Sequence, residues 1–566
     1  MSPTLRGLPP MPGPTLIDRL VTYVSPIRGL RRHQARAALA LAGGYSGARY
    51  DRRALQEWFA GLGSADRDSL GDLATLRARS RDLRRNAPLA TGALNTIVTS
   101  AVGTGLTPRA RIDRDLLGLT EEEASAWEAH AARIWAWWAE TPACDVTGRF
   151  DFATLQALVL VSSLESGDIL AIRRRKEARG RLLGLALQLL EADYLSNPQF
   201  GPDTDRLAGG VEINELGEPV RYHLASRHPG DFFGRGGLTW TAVPAVAPES
   251  GERLVLHIFD PLRPGQTRGV PLLAPVIEPL KQLDRYTEAE LMAAVLAACF
   301  TVFIKHATPD APVGLGLPAG QQPPADPAQY RLGNGAILDL AAGESVETVN
   351  PGRPNDKFDP FVQAILQQVG VALEVPYELL VKRFNASYSA SRAALLEAWR
   401  SFERRRATLV RTFCQPSYEW VIAESVAAGL LDAPGFFEDP LVRRAWCDAA
   451  WTGPAAGQID ERSAVESAIL RVTNGLATLE EETAKLTGGD WEQNHAQQVK
   501  ERRAQVRDGL AAPPATVAPP TGAPTRNPRD PQNADRGSTP PLEEAVPAGR
   551  LSLARAELVT EGGARA

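Results

Sequence analysis

Apolar residues recur at helical spacing from residue 72 to about 102, where Leu73, Leu76, Leu83, Leu94, Ile97 and Val98 share one side. The spacing predicts one helix, stopped by Gly103 and Gly105. A second helix is expected to start at a capping box formed by Thr120 and Glu123, with Trp127, Ala131, Ile134 and Trp138 in a core-facing stripe. A third covers 152–164. Between 168 and about 259 the period shortens to two, predicting strands that include 169–173, 221–224 and 254–259. The run Arg173-Arg174-Arg175-Lys176 lies between two such strands and fits a solvated hairpin tip.

The second half returns to helical patterning. Pro279 suits a helix's first turn, and Leu280, Leu283, Thr287, Leu291, Val295 and Ala298 follow down one side. Pro271 and Pro275 imply an irregular lead-in. Short strands are expected at 301–304 and 336–340, separated by the Pro-rich 308–327. A helix over 360–373 carries Phe361, Ile365 and Val369, and a polar loop leads to a long helix, 389–427, kinked near Pro416. Residues 458–507 are helical and rich in Glu and Gln. Residues 1–70, rich in Pro, Gly and Arg, are expected to form a partly irregular arm.

Beyond 508 the composition changes, with ten prolines between Pro513 and Pro547. Such a segment cannot bury enough apolar surface to fold and is expected to be a disordered tail. Removing everything after Gly509 is therefore expected to leave assembly and thermal stability nearly unchanged. Loss of soluble expression in that truncation would move the boundary.

Composition narrows the function. Of 566 residues, 44% are hydrophobic and 23% charged, which describes a globular chain with ample core; the expected helices and strands make it α+β. The formal charge is −5, without the basic excess of a protein that grips nucleic acid tightly, though compatible with a surface that DNA slides past. The longest apolar run, 291–304, falls short of a membrane span, and the N-terminus lacks a signal-peptide pattern, so no membrane partner and a cytoplasmic site of synthesis are expected. Four separated cysteines, Cys144, Cys299, Cys414 and Cys447, suggest reduced thiols.

Catalytic patterns are missing. None of the seven lysines follows a phosphate-loop frame, and no Gly-x-Ser-x-Gly elbow or Ser-x-x-Lys pair occurs. The seven histidines never fall at metal-binding helical spacing, His223 and His228 being the nearest pair. Clusters such as Glu121–Glu123 and Glu480–Glu482 suit helix starts or exposed faces. No catalytic residue, metal or cofactor is expected, and weight moves from an enzyme toward a structural protein.

Three segments, in order, resemble the lambda-type family of tailed-phage portal proteins. The first, 78–113, holds Arg81-Asp82-Leu83-x-Arg85-Asn86 and the stop Val102-Gly103-x-Gly105. The second, 256–291, holds His257-x-Phe259-Asp260-Pro261 and Gly265-Gln266-Thr267-Arg268-Gly269. The third, 363–406, holds Gly370-Val371, Val375-Pro376-Tyr377-Glu378-Leu379-Leu380 and Ser387-Tyr388-Ser389-x-x-Arg392.

The resemblance implies a multi-part portal fold assembled as a ring around a central channel. A wing would take 71–270 and return over 391–457; stem helices would span 271–299 and 358–376. An α/β clip would occupy 300–357, a tunnel loop 377–390 and a helical crown 458–507. It further implies a dodecamer at one capsid vertex of the virion, assembled in the host cytoplasm. Its partners would be double-stranded DNA, without sequence specificity, the major capsid protein, terminase and head–tail connector proteins. Lys382, Arg383, Asn385, Ser387, Tyr388 and Ser389 would face the DNA: small, polar and sparingly basic residues suit a weakly attractive lining. The same residues also fit an ordinary solvent loop. Another phage capsid or tail component, or a nucleic-acid-processing enzyme with an unrecognised site, are the alternatives.

Overall fold

The structure is a computed structural model that describes residues 16–31, 53–55, 57–58, 60–177, 179–231, 237–298, 302–306, 344–348, 358–384, 387–457 and 460–510. The chain divides into two compact units, 1–496 and 497–566. The described part of the second, 497–510, is chiefly the end of a helix, Trp491–Arg507, that buries none of its residues. The expected strand at 336–340, the Pro-rich 308–327, Cys299, most of the arm and nearly all of the tail lie outside the described residues.

The first expected helix is in fact two. Helix α1, Ala65–Asn86, begins at Ser64, whose hydroxyl accepts from Arg67 N at 3.2 Å. Helix α2 is Pro88–Ala101, with Ala87 extended at φ −103° and ψ 110° between them. Pro88 disfavours helical geometry in the residue before it, while its own missing N–H is harmless at a first helical position. Gly105, at φ +119°, could carry no side chain, because a Cβ would lie 2.6 Å from Ala153 Cβ. Next to it the Gln156 side chain pairs with both Leu106 N and Leu106 O, at 2.7 and 2.8 Å.

Strand β1, Thr107–Ala110, leads to α3, Glu121–Ala139, and α4, Phe152–Ser166. The capping box of α3 forms as expected, with Thr120 and Glu123 each accepting from the other's backbone N–H. Its tryptophan stripe is core. Trp138 is fully buried and donates to Leu185 O at 3.0 Å, and Trp135 meets Phe152, Tyr418 and Trp451 with ring centroids within 6 Å.

Strands β2 (Asp168–Arg175), β3 (Leu185–Glu191), β4 (Leu207–Ala208), β5 (Val211–Ile213), β6 (Pro219–Ala225), β7 (Trp240–Pro244) and β8 (Val255–Phe259) follow. They build two antiparallel sheets, ordered β3-β2-β8 and β4-β5-β6-β7. Side chains alternate along β2. Ile169 and Ala171 enter the main core with the helices, and Leu170 and Ile172 enter a second core with Val211, Tyr222 and Leu224 of the other sheet. The stretch of β2 buried on both faces, Ile169–Ile172, is therefore a continuous apolar run. The basic run is not a turn at its start: Arg173, Arg174 and Arg175 end β2, opposite Leu187, Ala186 and Leu185. Arg173 is paired with Glu252, and Lys176 donates to Val146 O at 2.8 Å.

After an irregular Ala274–Val276 turn comes α5, Ile277–Ala298, with Pro279 in its first turn. Leu280 and Leu283 are buried, but Leu291, Met292 and Val295 are exposed, so the helix leaves the core halfway along. Strands β9 (Val302–His306) and β10 (Glu344–Thr348) pair antiparallel, and α6, Phe358–Leu373, runs back beside α5. Tyr286 stacks on Phe358 and meets Phe361 edge-on, centroids 5.5 and 5.1 Å away. The short α7 is Tyr377–Leu380 and the long return helix α8 is Tyr388–Leu409.

A kink was expected at Pro416, and the irregularity falls just before it. Residues Val410–Cys414 form π-helical turns between α8 and α9, Gln415–Ala427. Pro416 has no N–H for the carbonyl of Thr412, and its ring crowds that carbonyl. The helix widens to accommodate this. Helix α10, Pro440–Cys447, leads to β11, Ala449–Thr452, which pairs antiparallel with β1. Helices α11 (Glu461–Thr473), α12 (Leu479–Thr487) and α13 (Trp491–Arg507) complete the described chain. The fold is mixed helix and sheet, and among the described residues no helix is long and apolar enough to cross a membrane. Cys144, Cys414 and Cys447 are free and buried; burial pushes the Cys144 and Cys447 thiols up to about 12.

Candidate functional site

The expected loop grows from the end of α6. A tight turn closes there, with Val375 N donating to Gly370 O at 2.9 Å and Glu374 N to Val371 O at 3.3 Å. Only glycine fits at 370, because a Cβ would lie 2.6 Å from Val375 O. Glu374 takes the left-handed position of this turn, at φ +57°. A side chain there costs about 1 kcal/mol relative to glycine. Its carboxylate recovers that through three donors: Ser401 Oγ at 2.8 Å, Arg404 Nη2 at 3.1 Å and Arg405 Nη2 at 3.2 Å. Partial burial opposes the charge, but the hydrogen bonds from Ser401 and Arg404 outweigh it and hold the carboxyl below its ordinary pKa. Arg404 also reaches Asp260 Oδ2 at 3.1 Å, and a cleft of about 650 Å³ opens beside the anchor.

From this anchor α7 forms one turn, with Leu380 buried. Arg383 N donates to Glu378 O at 3.0 Å, and Lys382 is left-handed at φ +54°. Lys382, Arg383 and Phe384 are exposed, so the loop presents two basic side chains and one ring. Asn385 lies outside the described residues. Ser387 is the N-cap residue of α8, its Oγ 3.3 Å from Ser389 Oγ, and Tyr388 is the helix's first residue. The structure thus brings Lys382, Arg383, Ser387, Tyr388 and Ser389 into one loop and helix start.

A second constellation went unread in the sequence. Asp168, 1% exposed, accepts from Arg77 Nη2 at 2.8 Å, Arg268 Nε at 2.5 Å, Arg268 Nη2 at 3.1 Å, His257 Nε2 at 3.1 Å and Gly269 N at 3.3 Å. The remaining donors of Arg268 go to the carbonyls of Ala192, Leu195 and Gly209, and Arg77 Nε to Ser166 O. Burial works against the Asp168 charge, yet Arg268, Arg77 and His257 together hold its carboxyl far below the usual range. Burial lowers Arg77 to about 10 and also lowers His257, leaving the imidazole neutral at neutral pH. The two motifs His257-x-Phe259-Asp260 and Gly265–Gly269 therefore converge on one buried carboxylate. A lone Asp heading an apolar strand was the signal for it.

Among the described residues one group has metal-ligand spacing: Glu191, Asp193 and His228 hold ligand atoms within 4.8 Å of one another. The Arg81 guanidinium already pairs with Asp193 and lies 3.8 Å from Glu191, which makes the group an ion-pair network. His223 turns instead to Glu212, at 3.2 Å.

The family model described as "Phage portal protein, lambda family" matches residues 51–406. Portal protein B of Escherichia phage lambda is 26% identical over 485 residues, covering 82% of this chain and 90% of that protein. The portal protein of Escherichia phage N15 is 27% identical over 489 residues, with the same coverage. Among solved structures, the neck of a native gene transfer agent particle computed with C12 symmetry aligns with a TM-score of 0.43 at 15% identity, over 73% of this chain and 93% of that one. By the family match across most of its length, the chain belongs to the lambda family of phage portal proteins.

Proposed function

We propose that this portal protein assembles as a ring of twelve at one capsid vertex. Terminase packages double-stranded DNA through the ring, and the DNA later leaves by the same channel. In this reading the major capsid protein surrounds the ring and head–tail connector proteins attach to it. The subunit acts structurally, without catalysis. Residues 271–299 and 358–376 serve as the stem, 300–357 as the clip, 458–507 as the crown and 377–390 as the tunnel loop.

The observation that carries the reading is the exposed apolar surface of the two helices that leave the core. Leu291, Met292 and Val295 on α5 and Phe361 and Val371 on α6 are 49–81% exposed in the single subunit. Leaving such area in water forfeits roughly 25 cal/mol per Å², which neighbouring copies around a closed ring recover. Negative-stain images and mass photometry of the purified protein test this. The expected result is a ring with a central hole and a mass near twelve subunits. Monomer or dimer under every salt condition would refute the assembly, and tubes or shells would favour another structural role.

A further inference from the structure

Glu374 and Lys382 are both left-handed without being glycine, and they bracket the segment that roots the exposed loop. Strain of this kind persists only where surrounding contacts over-determine it. Lys382 is exposed, whereas at Glu374 three donors converge on one carboxylate oxygen. Those donors sit on α8, beyond the loop, so the anchor ties the incoming end of the segment to the helix that receives its outgoing end. Arg404 extends the tie to Asp260, which directly follows β8. Arg405, 7% exposed, gives the clamp a fixed side.

We infer that Glu374 is a positioning residue for the loop residues 381–384. Its carboxylate, held by Ser401, Arg404 and Arg405, fixes the height at which Lys382 and Arg383 stand relative to the core. Without it the turn at 374 keeps its shape and Val375 and Leu380 keep their places in the core, but the tie to α8 is lost and the segment from 375 to 384 opens more often than the rest. The importance of that height for DNA rests on the proposed channel role of the loop; the anchoring itself does not.

Glu374→Gly separates positioning from backbone stability, because glycine is the residue the left-handed turn prefers. A role confined to backbone shape predicts equal or greater protection in this variant. Positioning predicts that hydrogen exchange rises about tenfold in the peptide covering 375–384, where the amides of Leu380, Val381 and Arg383 are hydrogen-bonded, while β2 and α4 keep their protection. Unchanged or slower exchange in 375–384 overturns the inference, as does an equal rise throughout the protein. Glu374→Gln, which keeps an acceptor but not the charge, is expected to fall between. Should Glu374→Gly give no soluble protein, Arg404→Gln on a half-exposed side chain is expected to produce the same local rise. A second readout is the fraction of DNA-filled heads, expected to drop several-fold in Glu374→Gly. Faster local exchange with normal filling would leave the anchor standing and refute the channel role of the loop.

Discussion

Asp168→Ala is expected to destabilise the subunit by about 3–5 kcal/mol, the largest loss of any single substitution considered. The change removes no large apolar surface. It leaves the guanidiniums of Arg77 and Arg268, 5% and 2% exposed, without the anion they share. Arg268 keeps its three carbonyl partners, so its position survives while its charge is uncompensated. Asp168→Asn is expected to lose nearly as much, because it keeps an acceptor but not the charge. Urea denaturation of the soluble subunit measures both, and a loss below about 1 kcal/mol would contradict this account. The acid limb of stability follows from the same cluster. The depressed carboxyl of Asp168 contributes fully above about pH 4 and loses its contribution only as acidity passes well below that. His257, lowered by burial, acts at milder pH: below about 6.5 the unfolded chain takes up a proton that the folded one refuses. Stability is thus expected to fall as pH drops from 6.5, and His257→Gln is expected to flatten that slope.

Lys382→Glu combined with Arg383→Glu is expected to give normal rings and roughly tenfold fewer filled heads. Each loop loses two positive and gains two negative charges, and a ring repeats the change at every subunit. On the proposed channel role of the loop, a negative collar there repels the phosphate backbone where a weakly attractive lining would let it pass. Both side chains are exposed, so the substitution removes little packing. Ring yield and packaged genome length, measured on the same preparation, separate the outcomes. Failure to form rings would place the two residues in ion pairs between subunits. Normal rings with normal packaging would refute both roles.

What the sequence revealed and what it hid divide by the range of the interaction. The capping box at Thr120 and Glu123, the first-turn Pro279 and the tryptophan stripe of α3 are local patterns, and each was legible. The break at Ala87 was hidden because Leu83, Leu94 and Ile97 keep the apolar rhythm across it; only Pro88 betrayed it. Arg173–Arg175 looked like a turn because charge suggests solvent, yet strand pairing through the backbone tolerates charged side chains at a sheet's margin. Lys382, Arg383 and Ser387–Ser389 were named from the family resemblance alone; the structure puts them in one loop and helix start. Asp168 left only the weak signal of a lone Asp heading an apolar run and Glu374 none, because their meaning lies in partners elsewhere in the chain: Arg77 and Arg268 for one, Arg404 and Arg405 for the other.

The pairing of β1 with β11 sets a timetable for folding. Thr107 faces Thr452, and Arg406 donates back to the carbonyls of Ser100 and Ala101. At roughly 5–20 residues per second, a ribosome delivers β11 tens of seconds after β1. For most of that wait Trp135 lacks both Tyr418 and Trp451, two of the rings that enclose it in the finished subunit. The apolar ends of α5 emerge during the same interval, before the body that carries them has closed. A nascent portal chain therefore passes through a long period in which the apolar surface proposed to form the ring is available and its core is not. Slowing translation downstream of residue 300 would lengthen that exposure and favour aggregation over assembly, even with the amino-acid sequence unchanged.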